Sequence, residues 1–236
     1  MRIWDDTKQN INFVIGDEKK AAYFKKIDGE AEFKDNEITL TSEPKSSGIL
    51  KLIDSENYND VNINVDLDGN IIGSQSVYIR SDDKLDSGIS VELNNYILSV
   101  TDKDKSDDHI YELDLKDYYK IEKDEYDIKD KGNLKLGINI KDELLKLYVD
   151  DEKVGNDIIV TEKKGNGIYL ESRWQEYGYS QRNISDDVYD GVFKDFKVTD
   201  LNEKELYSNE LKGIDKIELS IKNTYERVLN WFIKYL

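Results

Sequence analysis

The chain has 236 residues, 51 of them acidic and 34 basic, for a formal net charge of −17. That length can bury a substantial core, in one large β domain or two small ones, and the negative charge argues against nucleic-acid phosphates and anionic membranes as partners. Cysteine is absent, which removes disulfides, thiolate nucleophiles and zinc–thiolate sites.

The opening "MRIWDDTKQNINF" lacks the apolar core of a signal peptide. If the protein is exported, its targeting segment is absent from this chain. No run approaches the ~20 apolar residues of a membrane helix, so direct membrane insertion is not expected. From Val61 onward most of the chain alternates with period two. "VNINVDL" (Val61–Leu67) places Val61, Ile63, Val65 and Leu67 on one face of a half-buried strand. Similar runs follow at Ser76–Arg80, Gly88–Leu93, Tyr96–Val100 and Ile110–Leu115, and then at Asn133–Ile140, Leu144–Val149, Gly167–Ser172 and Val192–Val198. The segments Leu93–Asn95, Lys141–Glu143 and Val149–Val154 are short enough to close hairpins. Many short strands at this spacing indicate an antiparallel sandwich or barrel.

The period changes at the C-terminus. In "IDKIELSIKNTYERVLNWFIKYL", Ile214, Ile217, Ile221, Tyr225, Val228 and Phe232 follow helical three-and-four spacing. This predicts an amphipathic helix that either packs on the sandwich or, through Trp231, Phe232, Tyr235 and Leu236, leads into a protein partner, a neighbouring domain or a membrane segment. The expected division is a β-sandwich over residues 1–200 and a helical extension over 201–236.

"DGEAEFKDNEITLTSE" (Asp28–Glu43), "GILKLIDSENYNDVNINVDL" (Gly48–Leu67), "LKLGINIKDELLKLYVDDEKV" (Leu134–Val154), "GNGIYLESR" (Gly165–Arg173) and "DDVYDGVFKDFKV" (Asp186–Val198) together resemble the concanavalin A-like, laminin-G-like β-sandwiches. The resemblance implies an all-β jelly roll of two antiparallel sheets, with ligands on a sheet face or at the loop rim. Proteins of this fold include binding modules, carbohydrate-binding modules and glucan hydrolases, so activity has to be argued from residues.

Histidine occurs once, as His109, so this chain cannot supply a two-histidine metal site, and no serine motif gives His109 a triad role; a surface position at a strand start is expected. The laminarinase-like glucanases of this fold carry an E-x-D-x-E strand. Here "YELDLKD" offers Glu112 and Asp114 on one face but Lys116 in the third place, which departs from that pattern and reads as an ordinary solvated polar face. Calcium is common in this fold. "TDKDKSDDHIYEL" opens like an EF-hand with Asp102, Asp104 and Ser106, but Asp107 stands at the glycine position and Leu113 at the twelfth. The candidate calcium ligands are Asp82, Asp83 and Asp86 in "RSDDKLDSG", with Asp66 and Asp68 in "VDLDGN" as further acidic-turn oxygens. The stretch "RWQEYGYSQRNISDDVYDGVFKDFKV" leaves a strand with aromatic and polar groups together. A ring offers an apolar face to a pyranose while charged and amide groups bond its hydroxyls. The expected sugar platform is therefore Trp174, Tyr177 and Tyr179, with Glu171 and Arg173 as polar contacts; Trp174 packing inside its own loop is the competing reading.

These readings give a non-catalytic carbohydrate-binding or accessory domain of a bacterial secreted or cell-surface protein. Its partner would be a glycan, and calcium is the one cofactor in view. The alternatives are a glycoside hydrolase and a structural interaction domain of an envelope complex.

Overall fold

A computed structural model describes residues 20–68, 73–119, 134–162, 167–174 and 188–208. Two antiparallel sheets face each other, as the alternation requires. The strands are β1 (Phe24–Asp28), β2 (Glu30–Lys34), β3 (Glu37–Ser42), β4 (Ser47–Leu52), β5 (Val61–Leu67), β6 (Gly73–Ser81), β7 (Ile89–Asn94), β8 (Ile97–Asp102) and β9 (His109–Asp114). A single helical turn, α1 (Leu115–Tyr119), precedes β10 (Leu134–Lys141), β11 (Leu144–Val149), β12 (Glu152–Ile159), β13 (Gly167–Trp174), β14 (Tyr189–Asp200) and β15 (Glu205–Ser208).

The first sheet runs β1-β4-β13-β6-β7-β8-β9, and the second runs β12-β11-β10-β5-β14-β3-β2 with β15 added on β14. The last described strand, β15, lies beyond residue 200. The expected C-terminal helix lies outside the described residues. Each predicted hairpin is present, and its turn chemistry explains it. Asn95, Asp142, Asp150 and Asp151 all take positive φ, a region that asparagine and aspartate enter more easily than other side-chain-bearing residues. The consecutive pair Asp150–Asp151 gives the tight reversal between β11 and β12 whose twist matches the strands.

The alternating residues meet between the sheets. Val61, Ile63, Val65 and Leu67 are buried, facing Val77, Ile79, Val91, Leu98, Leu170 and their neighbours from the other sheet. Burial of each such side chain stabilises the fold by about 1.5–3 kcal/mol. A ring cluster sits within this core. Phe24 lies edge-on to Tyr207 with centroids 5.0 Å apart, and Phe196 lies 5.6 Å from Tyr207.

A buried arginine joins the sheets at one end. Arg80, 1% exposed, sits at the β6 bulge with φ +57°. Its Nε donates to the Asn59 carbonyl at 3.1 Å, Nη1 to the Thr161 carbonyl at 3.1 Å and Nη2 to Asp60 Oδ1 at 3.2 Å. Those acceptors flank β5 and β12 of the opposite sheet. Arg80→Met leaves them without their donor and is expected to lower unfolding free energy by about 3 kcal/mol in denaturant titration. Asp60→Asn, at a side chain 39% exposed that would keep an acceptor oxygen, should cost under about 1 kcal/mol. Equal losses in the two variants would show that the carbonyl contacts contribute nothing.

Candidate functional site

Alternation along β13 separates the residues expected to act together. Tyr169, Glu171 and Arg173 point to the outer face of the first sheet, while Ile168 and Leu170 enter the core. Glu171 is 3% exposed and well satisfied. It accepts from Ser47 Oγ at 2.9 Å, from the Tyr78 hydroxyl at 2.9 Å, and from Arg173 Nη2 at 3.0 and 2.9 Å. Burial, and then the Glu171 charge, pushes the Tyr78 phenol far above its ordinary range, so it remains a donor. Trp174 holds the register position of Leu170 and Ser172, facing the second sheet across from Gly73. Its indole Nε1 is buried with no hydrogen-bond partner among the described residues. The structure therefore brings Glu171 and Arg173 together and sets Trp174 on the other face; Tyr177 and Tyr179 lie outside the described residues. Beside the Glu171–Arg173 pair, Tyr78, Leu85 and Tyr169 form a second small core with Ile27 and Ile49, so that part of the outer face is filled.

Among the described residues, an open surface lies on the opposite sheet. A groove of about 460 Å³ crosses the outer face of β14, β5, β10 and β11. Cross-strand register builds it in rows. Lys197, Asn64, Gly137 and Tyr148 stand side by side across the four strands. Thr199, Asn62, Asn139 and Lys146 form the next row. The second row is tied together: Asn139 Nδ2 donates to Asn62 Oδ1, and Asn62 Nδ2 donates to the Asp200 carbonyl at 3.2 Å and to Thr199 Oγ1 at 3.4 Å. In the first row Gly137 leaves a gap. A Cβ there would stand 3.1 Å from Tyr148 Cβ and 3.4 Å from Asn64 Oδ1, so the absent side chain clears the floor between an amide and a ring. Lys135 Nζ donates to Asp151 at 2.7 Å on one flank, and Glu203 lines the other. No local motif marks these residues. The one signal is the outward parity of Asn62 and Asn64 in "VNINV".

No protein-family model matches the sequence, and no curated protein does. Solved structures do match. The carbohydrate-binding module CBM66 from Bacillus subtilis is 15% identical, with a TM-score of 0.51 over 75% of this chain and 94% of that one. The exoplasmic/lumenal domain of VIP36, in a Ca²⁺/Man3GlcNAc-bound form, is 15% identical with a TM-score of 0.51, over 76% and 84%. A native glycosidic hydrolase is 12% identical with a TM-score of 0.53, over 75% and 89%. The chain has the concanavalin A-like fold. At such identities the likeness is one of fold.

Within this concanavalin A-like sandwich the acidic turns take protein donors. Asp82 Oδ1 accepts from the backbone N–H of Lys84 and of Asp86, both at 3.2 Å. Asp83 accepts from the Tyr169 hydroxyl at 2.6 Å and from Lys51 at 3.3 Å, and the Tyr169 bond is the largest of the effects that hold its carboxyl below the usual value. Asp68 accepts from the Val192 N–H at 3.1 Å. In the EF-hand-like segment, Asp102 is buried and accepts from Thr161 N–H at 2.8 Å and from Thr161 Oγ1 at 3.0 Å. Among the described residues, no three carboxylate or imidazole groups converge as a metal site. His109 opens β9 and is exposed, with Nδ1 2.9 Å from Thr101 Oγ1.

Two outcomes follow from these carboxylates. Because Asp82 and Asp83 are already bonded by the protein, EDTA should leave the melting temperature unchanged in calorimetry; a fall reversed by calcium would assign a cation to the Asp82–Asp86 turn. Asp66 stands one row beyond the groove. Burial, and then Asp195, raises its pKa against the opposing pull of Lys135 and Lys194. The folded state thus disfavours the charged form, and stability linked to Asp66 is present below its ordinary value of 3.8 and lost as pH rises through the folded value. Asp66→Asn should raise the melting temperature at neutral pH, with the gain vanishing in acid below that value. A gain that persists in acid would point to another cause.

Proposed function

We propose that this chain is a non-catalytic carbohydrate-binding domain of a secreted or cell-surface protein, and that recognition takes place in the groove across β14, β5, β10 and β11. The observation that carries the reading is the groove's lining: asparagine amides, a threonine hydroxyl and a tyrosine ring around a glycine floor. An amide presents a donor and an acceptor from one planar group, which suits a sugar hydroxyl that does both. A tyrosine ring supplies the apolar wall. A cavity of this size lies within the range of small-ligand sites. The fold is shared with a carbohydrate-binding module and with a domain solved with Man3GlcNAc, which supports glycan binding in general.

A hydrolytic role has less support. Glycoside hydrolysis needs two carboxyl groups with separate roles across the sugar. Of the two acids lining the groove, Asp151 is ion-paired to Lys135 at 2.7 Å, which leaves Glu203 as the one not bonded to that lysine. On β9, Glu112 stands 3.9 Å from His109 Nε2, and Asp114 accepts from the Lys116 N–H at 2.8 Å. Export is part of the proposal. Among the described residues no helix is long and apolar enough to cross a membrane.

A glycan array followed by calorimetry on the best ligand tests the reading. Tyr148→Ala and Asn64→Ala should each weaken binding about tenfold or more, equivalent to 1.4 kcal/mol, with melting temperatures near wild type because both side chains lie on the outer face. Arg173→Ala, on the other sheet, should bind as wild type does. The reverse pattern would move the sugar site to the end of β13, with Glu171, Arg173 and the Trp174–Tyr179 segment.

A further inference from the structure

We infer that the groove takes an uncharged glycan chain held at internal residues, laid across the strands from β14 to β11, in preference to a single terminal sugar or an acidic glycan. The inference rests on the carbohydrate-binding reading above and names its ligand class. Direction comes from the register. The row Lys197–Asn64–Gly137–Tyr148 runs perpendicular to the strands, along the hydrogen-bonding direction of the sheet. Four strands about 4.8 Å apart give a trough of roughly 14 Å, longer than one sugar ring. Polar groups are spread along that trough on successive strands: Thr199 on β14, Asn62 and Asn64 on β5, Asn139 on β10 and Tyr148 on β11. A ligand confined to one ring reaches only part of this set.

Two amides have capacity to spare. Asn64 makes no side-chain hydrogen bond within the described residues, and Asn139 commits one N–H to Asn62 and leaves its oxygen for a ligand. The neighbouring Asn62 spends its N–H groups on Thr199 and the Asp200 carbonyl, which fixes the row. The wall is thus rigid while Asn64 and Asn139 face the trough, an arrangement that lowers the ordering cost of binding.

Charge selects against acidic sugars. The lining holds two lysines, Lys135 and Lys197, and two carboxylates, Asp151 and Glu203. These balance, Lys135 is already bonded to Asp151, and Lys146 at the β11 end of the second row stands 3.9 Å from Asp157. The surrounding protein carries −17, so an anionic chain meets a repulsive field without an excess of cations in the trough to offset it.

The test is calorimetric titration of the intact chain with soluble neutral polysaccharides (β-glucan, xylan, galactomannan and dextran). A size series of oligosaccharides from the best of these follows, with polygalacturonate and alginate as acidic counterparts. The expected result is affinity that climbs at least tenfold from monosaccharide to the oligosaccharide that spans the four strands and then levels off, with no measurable binding of the polyuronates. Gly137→Leu, which fills the floor, should abolish binding, and Asn64→Ala, which removes a side chain outside the fold's own bonding, should flatten the size dependence. A monosaccharide binding as tightly as the longest oligosaccharide overturns the chain inference while leaving sugar binding in place. Polyuronates binding as tightly as neutral chains overturn the charge argument. Failure of every neutral glycan to bind removes both this inference and the functional reading beneath it.

Discussion

The Arg80 guanidinium, shut away from water at the β6 bulge, ties one sheet to the other. A buried charge carries a large desolvation cost unless its donors are met, and burial is what lowers the arginine's pKa here. The cost is offset by acceptors from two places: the Asn59 carbonyl and Asp60 carboxylate before β5, and the Thr161 carbonyl after β12. Thr161 is gripped a second time by Asp102 of β8, which accepts from its N–H and hydroxyl. Asp60 in turn accepts from the Asp142 N–H in the turn between β10 and β11. Apolar packing between sheets tolerates sliding, because dispersion and hydrophobic burial are non-directional. This polar clamp does not, since each bond has a narrow geometry. It fixes where β5 starts, and thereby where every residue of β5 points.

The groove inherits that register. Asn62 lies two residues beyond Asp60, and the rows depend on Asn62 and Asn64 standing opposite Asn139 and Gly137 on one side and Thr199 and Lys197 on the other. A slip of one residue in β5 would turn both asparagines into the core and Ile63 out to solvent. Two valines, an isoleucine and a leucine on the inner face oppose such a slip. Specificity of the outer face is therefore a by-product of apolar fit on the inner one.

The local half of this arrangement was legible in the chain. Alternation in "VNINVDL" and "LLKLYV" matches β5 and β11 residue for residue, because period-two burial is written in consecutive residues. Glu171 and Arg173 share a face for the same reason, two residues apart on one strand. What brings Asn64, Gly137, Tyr148 and Lys197 into one row is pairing among β14, β5, β10 and β11, and no short stretch of sequence encodes a partner many residues away. Gly137 in "LKLGINI" illustrates the limit, since within its strand it is only an interruption of the pattern and its meaning comes from the neighbours on either side. Trp174 shows the opposite hazard. Its polar company says nothing of parity, and its position four residues after Leu170 on the strand gives it the parity of that core residue while leaving it half-buried.

The strand order has a consequence for how the chain reaches this state. β13 lies between β4 and β6, and β14 lies between β5 and β3. Both sheets thus have a late strand in their interior. As the polypeptide leaves the ribosome, the early hairpins β6-β7-β8-β9 and β10-β11-β12 can form from local contacts, but each sheet stays split in two until the last third of the chain arrives to fill the gap. Ordering so much chain before the long-range contacts form is slow, and unpaired strand edges are open to wrong partners in the meantime. Completion is a closing step made by β13 and β14 together, and a nascent chain stalled before them would expose the inner strands β4, β6, β3 and β5 as four edges.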